Sequence, residues 1–152
     1  MNKSINLRIA LLACIVAFTS FAAIADTNIS ANQLPEAAKK FITTHFDQCA
    51  IVSVEFDNDD YDLFDDKDYD VRLNCGVKIE FDQKGKWHSV SSKGTQIPDA
   101  IIPAAILEYV KTNYPDYFIE QIDKERNGFD IELNNDLDLK FDRNGKFVRI
   151  DD

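Results

Sequence analysis

Residues 69–87 read YDVRLNCGVKIEFDQKGKW, and residues 129–147 read FDIELNNDLDLKFDRNGKF. These two stretches decide the fold, because one can be laid on the other. Asp70/Asp130, Leu73/Leu133, Asn74/Asn134, Phe81/Phe141, Asp82/Asp142, Gly85/Gly145 and Lys86/Lys146 agree in register. Self-similarity at a spacing of about sixty residues means two copies of one supersecondary unit. The shared letters are residues that turns and a core require, and none of them suggests reaction chemistry.

Within each stretch the apolar residues alternate. Val71 and Leu73 match Ile131 and Leu133; Val77, Ile79 and Phe81 match Leu137, Leu139 and Phe141. Lys78, Glu80, Asp138 and Lys140 fall between them. That pattern predicts antiparallel strands with one buried and one wet face. Asn74-Cys75-Gly76, Gln83-Lys84-Gly85 and Arg143-Asn144-Gly145 fit three-residue hairpin loops ending in a left-handed residue, with Asp136 in the place of Gly76. A three-residue loop opposes Leu73 to Val77 and Val71 to Ile79; a two-residue loop would oppose apolar to polar residues.

Moving outward, a first strand is expected at about residues 50–56, with Val52, Val54 and Phe56 inward, and its counterpart at about 118–124. A fourth strand begins at Trp87 and at Phe147. Val90, Val148 and Ile150 lie off its phase, which predicts a bulge or a two-sided edge. Ahead of each set, Ala38, Phe41, Ile42, His45 and Phe46, and Ile106, Tyr109, Val110 and Tyr114, recur at helical spacing behind Pro35 and Pro103. The expected fold is α+β. Two tandem units, about 29–92 and 97–152, each a helix plus four antiparallel strands, form one continuous sheet with both helices on one face, in a single domain spanning 26–152.

Residues 1–25 read as a signal peptide. Lys3 and Arg8 form a basic start, Ile9–Phe21 is apolar but for Thr19 and Ser20, and Ala23-Ile24-Ala25 is a cleavage motif. Lipidation at Cys14 is the lesser alternative, and the apolar run is short for a membrane span. Of 17 basic residues, Lys3 and Arg8 leave with the signal; 15 remain against 27 acidic ones, a formal charge of −12. That balance argues against binding nucleic acid, which needs cations on phosphate, and against docking on an anionic membrane. Two cysteines then remain, Cys49 and Cys75. Tyr117 and Asn135 replace both in the second copy. A pair kept or lost together, in an exported chain, predicts a disulfide; both cysteines also fall at one end of the expected sheet.

Helix, then four antiparallel strands, repeated, with LNN and LKFDRNGKF followed by Ile150-Asp151 behind a signal peptide, resembles the PepSY-like family, also described as beta-lactamase-inhibitor-like. The resemblance spans essentially the whole mature chain. It implies a periplasmic or secreted two-unit α+β protein, and it brings no catalytic residues, cofactor or partner-contact motif.

The two copies differ most in the acidic insertion of copy one, between Asp57 and Asp68. Tyr61 and Phe64, flanked by Asp59, Asp62 and Asp65, are candidate contacts for an extracytoplasmic protein partner, since exposed aromatics suit interface anchors. Asp57, Asp59 and Asp62 are a weaker calcium candidate, because the spacing lacks the glycine and the twelfth-position glutamate of an EF-hand loop. A solvated loop is the plain alternative. His45 and His88 sit on different elements, a poor arrangement for zinc. Ser89, Ser91 and Ser92 show only a polar linker into the second copy, so no catalytic residue is assigned. Trp87, aligned with Phe147, reads as core. The expected function is a non-enzymatic exported binding module, an inhibitor or adaptor, with a cation-binding or structural envelope protein as the alternative.

Overall fold

The computed structural model describes residues 27–56 and 68–151. Strands β1 (Thr27–Asn28), β2 (Ile51–Phe56), β3 (Asp68–Leu73), β4 (Val77–Asp82), β5 (Trp87–Ser92), β6 (Ile119–Glu125), β7 (Gly128–Leu133), β8 (Leu137–Asp142) and β9 (Phe147–Asp151) form one sheet. Their spatial order is their chain order, and every neighbouring pair is antiparallel. The expected eight strands are present, and the two-residue β1 adds a ninth on the edge of β2. Helix α1 (Glu36–His45) precedes β2, and α2 (Ala104–Asn113) precedes β6. Pro35 and Pro103 cap these helices rather than starting them.

The register follows one aliphatic row. Val54, Val71, Ile79, Val90, Ile122, Ile131, Leu139 and Ile150 lie side by side across β2 to β9. The first seven are at most 2% exposed. Full burial of such a side chain contributes about 1.5–3 kcal/mol, and a one-residue slip would turn a whole strand's set to water. Register is therefore set by the core more than by any single turn. Ala38 and Ile42 of α1, and Ile106 and Val110 of α2, close this face. Phe41 meets Phe81 edge-on at 5.8 Å, and Tyr109 meets Phe141 edge-on at 5.4 Å. Both helices thus lie on one side.

The repeated letters have local roles. Asn74 Oδ1 accepts from the Ala50 amide, and Asn134 Oδ1 from the Phe118 amide, both at 2.9 Å. Each asparagine ties a hairpin to the start of its unit's first long strand. Asp82 Oδ1 accepts from the amides of Lys84 and Lys86, and Asp142 Oδ1 from those of Asn144 and Lys146. These are side-chain-stabilised turns of the kind aspartate favours. The glycine each turn carries has positive φ, as Asp136 does at 61° in its own turn. An added Cβ at Gly85 would stand 2.8 Å from both the Ala38 nitrogen and the Pro35 Cβ. The turn seats directly on the start of α1, which only a bare Cα allows.

Bulges correct one expectation and resolve another. Ile51 pairs with Leu73 but Ser53 with Arg72, so Val52 is the extra residue. Val52 points outward, 66% exposed, and Ile51 takes the inward position instead. Copy two repeats this at Glu120, between buried Ile119 and Ile122, which explains the weak alternation there. In the fourth strands, His88 and Val148 are the extra residues. Each bulge lets both Trp87 and Val90, or Phe147 and Ile150, reach the helix side.

Cys49 and Cys75 are bonded, with Cα atoms 5.7 Å apart. The bond joins the approach to β2 to the β3–β4 turn, at the end of the sheet where the spacing argument placed both.

Candidate binding face

The face opposite the helices carries the charges. Ser53, Arg72, Lys78, Ser91, Gln121, Glu132, Asp138 and Asp151 form one row across it, and Glu55, Asp70, Glu80, Ser89, Asp123, Asp130, Lys140 and Arg149 the next. Lys78, Glu80, Asp138 and Lys140, expected to face outward, do so, and no described element packs over this face.

Asp70 and Glu80 stand directly opposite each other, a repulsive arrangement. Lys78 offsets it, with Nζ 2.8 Å from Asp70 and 2.5 Å from Glu80. Burial works against the Lys78 charge, but hydrogen bonds to Asp70 and Glu80 outweigh it and raise the pKa. In copy two Lys140 takes over from the neighbouring strand position, bonding Asp130 and, at 3.2 Å, Asp151. The Asp130 bond is the main cause of a raised Lys140 pKa. One lysine per copy therefore neutralises the repeated aspartate from a different sequence position, a substitution that only cross-strand geometry makes equivalent.

Glu132 has no such partner in register. It lies between Gln121 and Asp138. Burial first, then the charges of Asp138, Glu120, Asp136 and Asp123, push its pKa up. The face is thus ionically balanced around Lys78 and Lys140 and acidic around Glu132.

The two copies part company at the other end of the face. In copy one, Asp68 opens β3 rather than belonging to the insertion, and its Oδ2 lies 2.8 Å from His88 Nε2. The matching residues of copy two are Gly128 and Val148. An open cleft of about 610 Å³ lies there, lined by Asp130, Lys140, Asp142, Val148 and Arg149 among others. A Cβ on Gly128 would come within 1.8 Å of the Phe141 carbonyl oxygen, so this position is closed to any side chain.

The junction of the copies holds a feature that sequence reading missed. β5 and β6 pair only from Ser89 to Ser91. Beyond, Lys124 Nζ lies 3.2 Å from the centre of the Trp87 ring and donates to the Trp87 carbonyl at 3.2 Å. The residue as a whole is exposed, but its ammonium rests on the indole. Burial, and secondarily Lys86, hold its pKa down to about 8. The signal was present in the repeat, since Lys124 stands where copy one has Phe56. Trp87 itself packs on Phe41 at 5.7 Å, in the core role expected of it.

Tyr61, Phe64, Asp57, Asp59, Asp62 and Asp65 lie outside the described residues. Outside that segment, Phe56 and Tyr69 pair in register with rings 4.8 Å apart. His45 packs on the Phe41 ring at 4.7 Å. Among the described residues no group of three or more His, Cys, Asp or Glu is placed to hold a metal ion, and no helix is long and apolar enough to cross a membrane.

Comparison with known proteins agrees with this architecture. A family model described as "Putative beta-lactamase-inhibitor-like, PepSY-like" matches residues 23–64 and 67–149. A "putative calcium-regulated periplasmic protein" of Bacteroides thetaiotaomicron is 38% identical, with TM-score 0.77, covering 84% of this chain and 97% of that one. A "putative periplasmic protein of unknown function" of Bacteroides vulgatus is 34% identical, with TM-score 0.78, covering 84% and 100%. A second "putative periplasmic protein" of Bacteroides vulgatus is 38% identical, with TM-score 0.76, covering 86% and 99%. No curated protein matches. The similar structures are described as periplasmic, in keeping with a periplasmic or exported location. Fold, internal repeat and family match converge: the chain belongs to the PepSY-like family of beta-lactamase-inhibitor-like proteins.

Proposed function

We propose that this protein is a non-enzymatic binding module that docks an extracytoplasmic protein, as an inhibitor of or adaptor for a hydrolase such as a peptidase. One observation carries the reading: an eight-strand-wide charged face that no described helix covers, with salt-bridged lysines holding its side chains in fixed places. Preorganised charges favour specificity and association rate. The acidic patch around Glu132 suits a basic contact on the partner. Tyr61 and Phe64, with Asp59, Asp62 and Asp65, would supply apolar and acidic contacts from the insertion.

The test is affinity capture of periplasmic proteins by three forms: the mature chain, a form with residues 57–68 shortened to the copy-two length, and Lys78→Glu/Lys140→Glu. A partner lost on shortening assigns recognition to the insertion. One lost on charge reversal assigns it to the sheet face. A captured set identical for all three forms sinks the proposal.

A second reading, a cation-responsive envelope protein, has support in one similar protein's description as calcium-regulated. Asp57, Asp59 and Asp62 are its candidate ligands. Calcium titration of the mature chain, followed by calorimetry and melting temperature, tests it; no heat and no shift at millimolar calcium would end it.

A further inference from the structure

The aliphatic row that sets the sheet's register does not end in burial. Seven of its members are at most 2% exposed; the eighth, Ile150, is 46% exposed. It sits on β9, which pairs with β8 on one side, and no described strand follows on the other. The bulged neighbour Val148 is 59% exposed. Among the described residues, three large apolar side chains are at least as exposed as Ile150, itself included, and two of them are on this five-residue strand. A free edge with apolar side chains is a template for another strand. The opposite edge is capped in part by the two-residue β1.

We propose that β9 pairs antiparallel with β9 of a second copy, about a two-fold axis at Ile150, to make one sheet across a dimer. Charge chooses the occupant and the register. Arg149 and Asp151 flank Ile150 on the charged face, with Arg149 Nη2 3.1 Å from Asp151 Oδ1. Centred on Ile150, the pairing opposes Ile150 to Ile150, and each Arg149 to the other copy's Asp151. The aliphatic row then continues into the second molecule, and the four charges form an alternating ring. Centred on Arg149, the pairing would oppose two arginines. A one-residue slip would oppose Ile150 to a charge and turn the partner's helices to the other side. A strand carrying its own complement in this spacing is matched to itself. The bulge at Val148 limits regular pairing to Arg149–Asp151, so the contact is short and the association concentration-dependent. A continuous face of two copies would follow. This inference is independent of what that face binds.

Sedimentation velocity of the mature chain from roughly 10 µM to 1 mM tests it, since contacts this small are weak. The expected result is a monomer–dimer equilibrium. Arg149→Asp alone and Asp151→Arg alone each weaken it roughly tenfold or more, by placing like charges opposite each other. An equimolar mixture of the two variants restores dimer, because each then meets its complement. The mixture guards against misreading a variant that folds poorly. A wild-type chain that stays monomeric throughout, a dimer indifferent to both substitutions, or growth into larger assemblies would each overturn the proposal.

Discussion

Removing the Cys49–Cys75 bond should cost this protein more than the loss of any surface ion pair, and the second repeat supplies the control. The bond closes a sequence separation of 26 residues. In the chain-entropy model, a loop of that length adds about 3.5 kcal/mol by restricting the unfolded chain. The perturbation is Cys49→Ala/Cys75→Ala, followed by urea unfolding. With a slope of about 1.5 kcal/mol per molar, the midpoint should fall by roughly 2 M at unchanged slope. The reciprocal experiment installs Tyr117→Cys/Asn135→Cys in copy two. The separation there is 18 residues (135 minus 117), and the same model assigns about 3 kcal/mol. The two copies hold their first strand and first hairpin alike, through Asn74 and Asn134. A bond that fits one should therefore close in the other. A loss below about 1 kcal/mol in copy one would refute the reasoning. So would failure of the copy-two pair to oxidise, since the equivalence of the repeats is its premise.

Three further outcomes follow from the packing and the charges. Gly85→Ala should destabilise by about 2–4 kcal/mol and Gly145→Ala by about 1–2, measured by the same unfolding assay. Both carry positive φ, but a Cβ at Gly145 meets its nearest atom, the Ala105 side chain, at 3.1 Å against 2.8 Å and backbone at Gly85. Lys124 titrates near 8 in the fold against about 10.4 unfolded. The unfolded chain thus binds the extra proton between those values, and stability should rise with pH across that window. Solvent screening holds the gain to about 1 kcal/mol, and the contact with the Trp87 ring works against it by favouring the charged form; Lys124→Met should flatten the profile. Glu132 has a raised pKa, so its ionised form burdens the fold above the ordinary glutamate range. Glu132→Gln should stabilise the protein at neutral pH by up to about 1 kcal/mol, and the gain should vanish as pH falls below that range. An equal gain at low pH would place its origin in packing.

Much of the fold was legible because its signals are local. The alternation of Val77, Ile79 and Phe81, the glycines and Asp136 in the turns, and the proline-headed helical spacing each depend on residues a few positions apart. The repeat added what local pattern could not, by supplying each unit with a second, independent reading. The disulfide was legible for the same reason, through a pair present in one copy and absent from the other. Of the candidate site, the outward residues of the sheet were legible by alternation. The insertion residues Tyr61, Phe64, Asp57, Asp59, Asp62 and Asp65 stand as proposals.

By itself, then, the sequence determined two helix-plus-four-strand units, their hairpin registers and their acidic character, because side-chain period and turn chemistry are properties of adjacent residues. Only the tertiary structure decided where the extra residues Val52, Glu120, His88 and Val148 break the alternation, since a bulge is defined by the strand opposite. It also decided that Lys78 and Lys140 serve the same aspartate from different positions, that Lys124 covers Trp87 at the junction, and that Ile150 ends a buried row in the open. Those partners are brought together by strand neighbours far apart along the chain, and no pattern within one segment encodes the distance between two.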